Sequence, residues 1–128
     1  MPHLTIEYSG NLDTRADIAA LCEALRVEML DTGLFEAGAV RVRALRCEVY
    51  AVADALPQNA FADMVLRVGT GRAKNELKRA GDAIFARASE LLADLFETPH
   101  FALSFEIREI DPELSWKKNA MHARLRTP

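Results

Sequence analysis

Met1-Pro2-His3-Leu4-Thr5-Ile6-Glu7-Tyr8 decides the fold. From His3 onward, Leu4, Ile6 and Tyr8 fall on one side and Thr5 and Glu7 on the other, the period-two pattern of a half-buried strand that begins almost at the first residue. Ser9-Gly10-Asn11 follows as a turn. Asn11 or Asp13 can then cap a helix whose stripe is Ile18, Leu21, Cys22, Leu25 and Met29, with Gly33 as its end.

Further along, residues 39 to 50 read as a second strand, Val40 and Val42 opposed to Arg41 and Arg43. The alternation changes phase near Ala44-Leu45, which predicts a bulge or bend. A break containing Pro57 precedes a third strand from Phe61 to Val68. Gly69-Thr70-Gly71 then leads into the strongest helical pattern of the chain, with Leu77, Ala80, Ile84, Phe85, Ala88, Leu91, Leu92 and Leu95 on its apolar side and Pro99 as its stop. Phe101, Leu103, Phe105 and Ile107 alternate as a fourth strand, and residues 111 to 126 form a polar tail expected to pack on a neighbour. The order is βαβ followed by βαβ, an α+β class of fold, with the halves roughly 60 residues apart and no visible repeat of residue identities. Two helices on one sheet face leave the other uncovered, with Thr5, Glu7, Arg41 and Arg43 in it; such a face favours a symmetric oligomer.

A chain of 128 residues, half of them apolar, supplies one core, so one domain over residues 1–128 is expected. Sixteen basic and 19 acidic residues give a formal charge of -3, which disfavours nucleic acid or an anionic membrane as partner. No apolar run approaches the length of about 20 residues that spans a bilayer, and no secretory signal pattern opens the chain, so a cytoplasmic location is expected. Cys22 and Cys47 lie in apolar-patterned segments and read as reduced core residues. His3, His100 and His122 share no ligand spacing, so no metal is expected.

Three features carry chemistry. Methionine is normally trimmed ahead of proline, which would turn the Pro2 amide nitrogen into a secondary amine. That amine is mostly protonated at neutral pH unless burial and nearby cations oppose the charge. One guanidinium about 6 Å away, at an effective dielectric of about 20, contributes about 3 kcal/mol against it. Second, in Val68-Gly69-Thr70-Gly71-Arg72 a strand ends in a glycine-bearing turn that opens a helix, a favourable place for an anion. Arg72, placed in the first turn, stands there against the helix dipole. The plainer alternative is turn geometry with Arg72 solvated or paired to Glu76. Third, Arg41 and Arg43 share the polar face of one strand, where they can clamp a carboxylate or pair with residues such as Glu7.

Met-Pro-His-Leu opening a strand, Arg41 after the first helix and Gly69-Thr70-Gly71-Arg72 together resemble the tautomerase superfamily, and within it the family of 5-carboxymethyl-2-hydroxymuconate isomerases. Thr32-Gly33-Leu34-Phe35, Ala53-Asp54, Ala60-Phe61, Ala80-Gly81, Ala102 to Ile107, Asn119 and His122 extend the similarity nearly end to end. The resemblance implies a homotrimer of β-α-β-β-α-β subunits, each a four-stranded mixed sheet with two helices on one face, and active sites at subunit boundaries. It further implies that Pro2 moves the proton and that Arg41 and Arg72 bind a small-molecule carboxylate substrate, with no cofactor. The implied substrate is a 2-hydroxymuconate-type dienol from homoprotocatechuate (4-hydroxyphenylacetate) breakdown, converted to the conjugated 2-oxo acid.

Other functions share this element order. A ferredoxin-like RNA-binding module needs a basic, aromatic sheet face, which Phe61-Ala-Asp-Met-Val-Leu-Arg-Val68 does not offer. A tautomerase or decarboxylase of another small 2-oxo acid and a catalytically silent trimeric scaffold keep the architecture and change the chemistry.

Overall fold

A computed structural model describes residues 1–126; Thr127 and Pro128, the last two of the expected 1–128 domain, lie outside the described residues. Strand β1 (His3–Ser9) is followed by helix α1 (Ile18–Asp31), strands β2 (Arg41–Cys47) and β3 (Ala60–Gly69), helix α2 (Lys74–Leu91), strand β4 (Phe101–Ile110) and a short helix α3 (Met121–Leu125). The strands form one mixed sheet in the order β2-β1-β3-β4. β1 runs parallel to β2 and antiparallel to β3, and β3 runs parallel to β4. Each βαβ half thus supplies a parallel pair, and the two halves meet through β1 and β3.

The predicted alternation holds in β1 and β3. Leu4, Ile6, Met64, Leu66 and Val68 are fully buried, joined by Leu21, Leu25 and Met29 from α1 and Leu77, Ile84 and Ala88 from α2. Burial of each large aliphatic side chain contributes about 1.5–3 kcal/mol. Inside this core, the buried Ser9 hydroxyl is satisfied by the Phe61 N–H, which donates to it at 2.9 Å.

Three local expectations are corrected. Asp17, rather than Asn11 or Asp13, caps α1, accepting from the Ala20 N–H at 3.0 Å. A 3₁₀ turn over Gly10–Leu12 delays the helix. Asn11 instead donates to the Asn59 carbonyl, and Asp13 accepts from the Tyr8 hydroxyl and Arg46. The bend near Ala44-Leu45 is absent, because β2 pairs without interruption from His3 opposite Arg41 to Ser9 opposite Cys47. Leu45 stays on the outer face, 47% exposed, and its apolar side chain only mimics a change of phase. On α2, Phe85 and Leu91 are exposed at the margin of the apolar side, and the helix ends at Leu91, before a 3₁₀ turn over Ala93–Glu97 and well before Pro99. Within the chain, residues 119–126 pack on the 3₁₀ turn at Ala37–Ala39: Asn119 Nδ2 donates to the Gly38 carbonyl at 2.7 Å and Arg126 pairs with Glu36.

Gly33 ends α1 as predicted, at a φ of +74° that few side chains tolerate. Cys22 and Cys47 are free thiols and only partly buried. Both helices lie on one sheet face. The other carries Thr5, Glu7, Arg43, Asp63, Val65, Arg67, Ser104, Glu106 and Arg108, side chains whose strand phase is opposite to that of the buried set.

Candidate active site

The pairing directions concentrate chemistry at one end of the sheet. β1 and β2 start there, and β3 and β4 end there, so Pro2, Arg41, Gly69 and Ile110 come together from four separate stretches of sequence. Pro2 is fully buried, and its carbonyl accepts the Arg41 N–H at 3.2 Å. Lacking an N–H of its own, proline fits at the head of the strand, where no ladder donor is lost.

Met1 stands in front of Pro2 and makes its nitrogen an amide in this chain. The Met1 sulfur lies 3.1 Å from Arg41 Nη1, which also donates to the Ala39 carbonyl at 2.9 Å. The Met1 amine lies beside Gly69, so close that a side chain there would touch it. Its pKa is held below the ordinary 8.0, first by burial and then by the charges of Lys117, Arg72, Arg41 and Arg67. His3 feels the same field: burial, Arg67, Arg43 and Arg41 lower it to about 4, so its ring is neutral at physiological pH. A cavity of about 130 Å³ opens here, lined by Met1, Gly69, Thr70, Ile110, Pro112, Ser115 and Lys117. A larger hollow of about 500 Å³ at the loop of residues 48–59 shares none of these groups and has one charged residue, Glu48, in its wall.

Arg72 is placed differently from the sequence expectation. α2 begins at Lys74 with Ala73 as its cap residue, so Arg72 precedes the helix and does not oppose its dipole from the first turn. Gly71, at a φ of +110°, turns the chain so that the guanidinium reaches back across the α1 end. Nε and Nη2 donate to the Leu34 carbonyl at 3.3 and 3.2 Å, Nη1 donates to the Gly69 carbonyl at 3.4 Å, and the Phe35 ring lies 5.0 Å from the guanidinium carbon. The expected alternative partner, Glu76, instead accepts from the Ala73 N–H at 3.0 Å. Three of the five N–H groups of Arg72 are committed to the protein, and two remain for a ligand.

Arg41 and Arg43 form no ion pair among the described residues, so of the two alternatives for them, a carboxylate clamp or a pair with a residue such as Glu7, the pair is not formed within the chain. Glu7 stands opposite Leu45 and Asp63, and Arg43 Nη1 lies 3.4 Å from His3 Nδ1. Pro2, Arg41 and Arg72 are thus brought to one place, whereas Arg43 points along the open face. Sequence reasoning missed Lys117 and Arg67 as sources of positive field. Arg67 was legible as an outward position of the third strand, two residues before Gly69; Lys117 has no local signal, since it meets Met1 only through the fold. Among the described residues, no three His, Cys, Asp or Glu side chains converge as a metal-ligand set.

A β-α-β-β-α-β subunit with its N-terminus desolvated among cations at one sheet end defines a protein of the tautomerase fold. A solved fused "4-OT wild type symmetric trimer" shares that fold at TM-score 0.65, with 16% identity over 94% of this chain and 98% of its own. Closer similarity makes the assignment specific. The 5-carboxymethyl-2-hydroxymuconate isomerase profile matches residues 2–125, and the chain belongs to that family. It is 33% identical to the 5-carboxymethyl-2-hydroxymuconate Delta-isomerase of Escherichia coli over 96% of this chain and 98% of the relative. The crystal structure of a 5-carboxymethyl-2-hydroxymuconate isomerase from Deinococcus radiodurans R1 superposes with TM-score 0.92, at 39% identity, covering 98% of this chain and 95% of that one.

Proposed function

We propose that this chain, a single domain acting as a homotrimer, is a cofactor-independent isomerase of 5-carboxymethyl-2-hydroxymuconate and that Pro2, freed by removal of Met1, is its base. The observation that carries the proposal is the state of the N-terminal amine. Already at Met1 it is desolvated and surrounded by four cations that disfavour its protonation. Removing Met1 moves the amine inward by one residue, about 3.8 Å along the chain, to the fully buried Pro2. It also releases the Arg41 Nη1 donor now spent on the Met1 sulfur.

The neutral Pro2 nitrogen takes the hydroxyl proton of the dienol. The oxygen lone pair forms the 2-oxo carbonyl, the double bonds shift, and the protonated amine returns a proton to the far carbon of the diene, giving the conjugated 2-oxo acid. Negative charge grows on the 2-oxygen during the transfer. Arg41 and Arg72 stand at the site with uncommitted donors for that oxygen and for the adjacent carboxylate, in an environment where fixed cations act strongly. A trimer covers the open sheet face, and the reaction belongs to cytoplasmic catabolism of an aromatic ring-cleavage product. No helix among the described residues is long and apolar enough to cross a membrane.

The test is mass spectrometry of the purified protein's N-terminus paired with ultraviolet assay of 5-carboxymethyl-2-hydroxymuconate. Pro2 is expected as the first residue, with loss of the dienol band. A Pro2 terminus with no turnover of any dienol favours the silent scaffold instead.

A further inference from the structure

The proposed substrate carries three carboxylates, two from the muconate skeleton and one from the carboxymethyl group, whereas Arg41 and Arg72 are two cations. Arg72 has two N–H groups left, enough for one carboxylate. The remaining anionic arm needs a further partner, and the mouth of the cavity supplies one. We propose that Lys117 is a substrate-binding cation that holds a carboxylate remote from the reacting dienol and so makes the site prefer tricarboxylate over monocarboxylate substrates. The proposal rests on the isomerase function above and assigns a residue to its specificity.

Three observations support it. Lys117 and Met1 line the same cavity, with Ser115 and Thr70 as hydroxyl neighbours. Lys117 makes no ion pair among the described residues, although the chain is acidic overall. Its segment is bounded by a capped turn and an anchor to the fold. Upstream, Asp111 accepts from the Glu113 N–H at 2.9 Å and caps the turn Pro112–Leu114. Downstream, Asn119 donates to the Gly38 carbonyl at 2.7 Å and accepts from the Met121 N–H at 2.8 Å. The lysine therefore stands in the cavity wall two residues before the Asn119 anchor. Its field also reaches the amine, where it is the leading charge acting against protonation. A compact ammonium on a flexible stem suits a remote, rotatable carboxymethyl arm better than the planar fork of an arginine.

The test compares wild type with Lys117→Met, of similar length but uncharged, and with Lys117→Arg, which keeps the charge. Calorimetry measures binding of propane-1,2,3-tricarboxylate and of acetate, and kinetics uses 5-carboxymethyl-2-hydroxymuconate beside the monocarboxylate 2-hydroxypenta-2,4-dienoate. Lys117→Met is expected to weaken tricarboxylate binding about 10- to 100-fold, the loss of a charge-assisted contact. Acetate binding stays the same, KM for the tricarboxylate dienol rises while kcat, read at a pH above the amine's midpoint in both proteins, stays within about 3-fold, and Lys117→Arg restores most of the affinity. Unchanged tricarboxylate affinity in Lys117→Met, equal weakening of both probes, or a wild type that binds the two alike would overturn the assignment. Lys117-dependent binding of the tricarboxylate without turnover of either dienol would instead refute the isomerase function and leave the lysine site standing.

Discussion

Replacing Arg72 by alanine separates its two roles. In the folded chain the guanidinium ties the entry of α2 to the end of the α1 segment through Leu34 and Gly69 carbonyls and stacks on Phe35 at 5.0 Å. Hydrogen bonds from a charged group contribute about 1.5–3 kcal/mol and a cation–π contact about 0.5–1. These bonds are long, the residue is half-exposed, and water replaces part of what is lost, so Arg72→Ala is expected to cost about 2 kcal/mol in chemical denaturation. For a domain of this size that lowers Tm by about 8 °C and leaves the protein folded at 25 °C. Loss of a donor aimed at the developing oxyanion is larger, about 100- to 1000-fold in kcat. Denaturation and initial rates are to be measured on one preparation at 25 °C. A kcat within 10-fold of wild type, beside the full stability loss, would make Arg72 a brace and refute its catalytic assignment.

Three further outcomes are expected. Asp17→Ala removes the cap of α1 and should cost about 1 kcal/mol in urea denaturation. Ser9→Ala strips the acceptor from the buried Phe61 N–H and should cost about 1–3 kcal/mol by the same method, whereas a cost near zero would mean that the N–H finds another partner. His3, lowered from 6.5 to about 4 in the folded chain, binds its proton later than the unfolded chain does. Its contribution to stability is therefore full above about pH 6.5 and lost as pH falls through about 4, and a His3 ring titrating at its ordinary value by NMR would contradict the cationic field around the site.

The alternation in β1, β3 and β4 was legible because each strand has one face against a core, and the α2 stripe because it repeats over many turns. The bend in β2 was misread because Leu45 is an apolar residue on an open face, and a single apolar side chain there imitates a change of phase that the uninterrupted pairing of the strand does not show. The α1 cap was misplaced because Asn11 and Asp13, equally good cap types, are claimed by Asn59, Tyr8 and Arg46, partners remote in sequence. At the site, Pro2, Arg41 and Arg72 announced themselves through local pattern and family resemblance. The Arg72 clasp on Leu34 and the approach of Lys117 to Met1 depend on segments 38 and 116 residues apart, which no local pattern encodes.

Titration of the Pro2 nitrogen by ¹⁵N NMR in the processed, labelled protein tests the base most directly. A secondary amine whose midpoint falls below the ordinary α-amino value of about 8, and rises on Lys117→Met or Arg41→Ala, is the predicted result. An amide resonance that does not titrate, or a midpoint at the ordinary value in all three proteins, would contradict a neutral proline amine as the proton carrier.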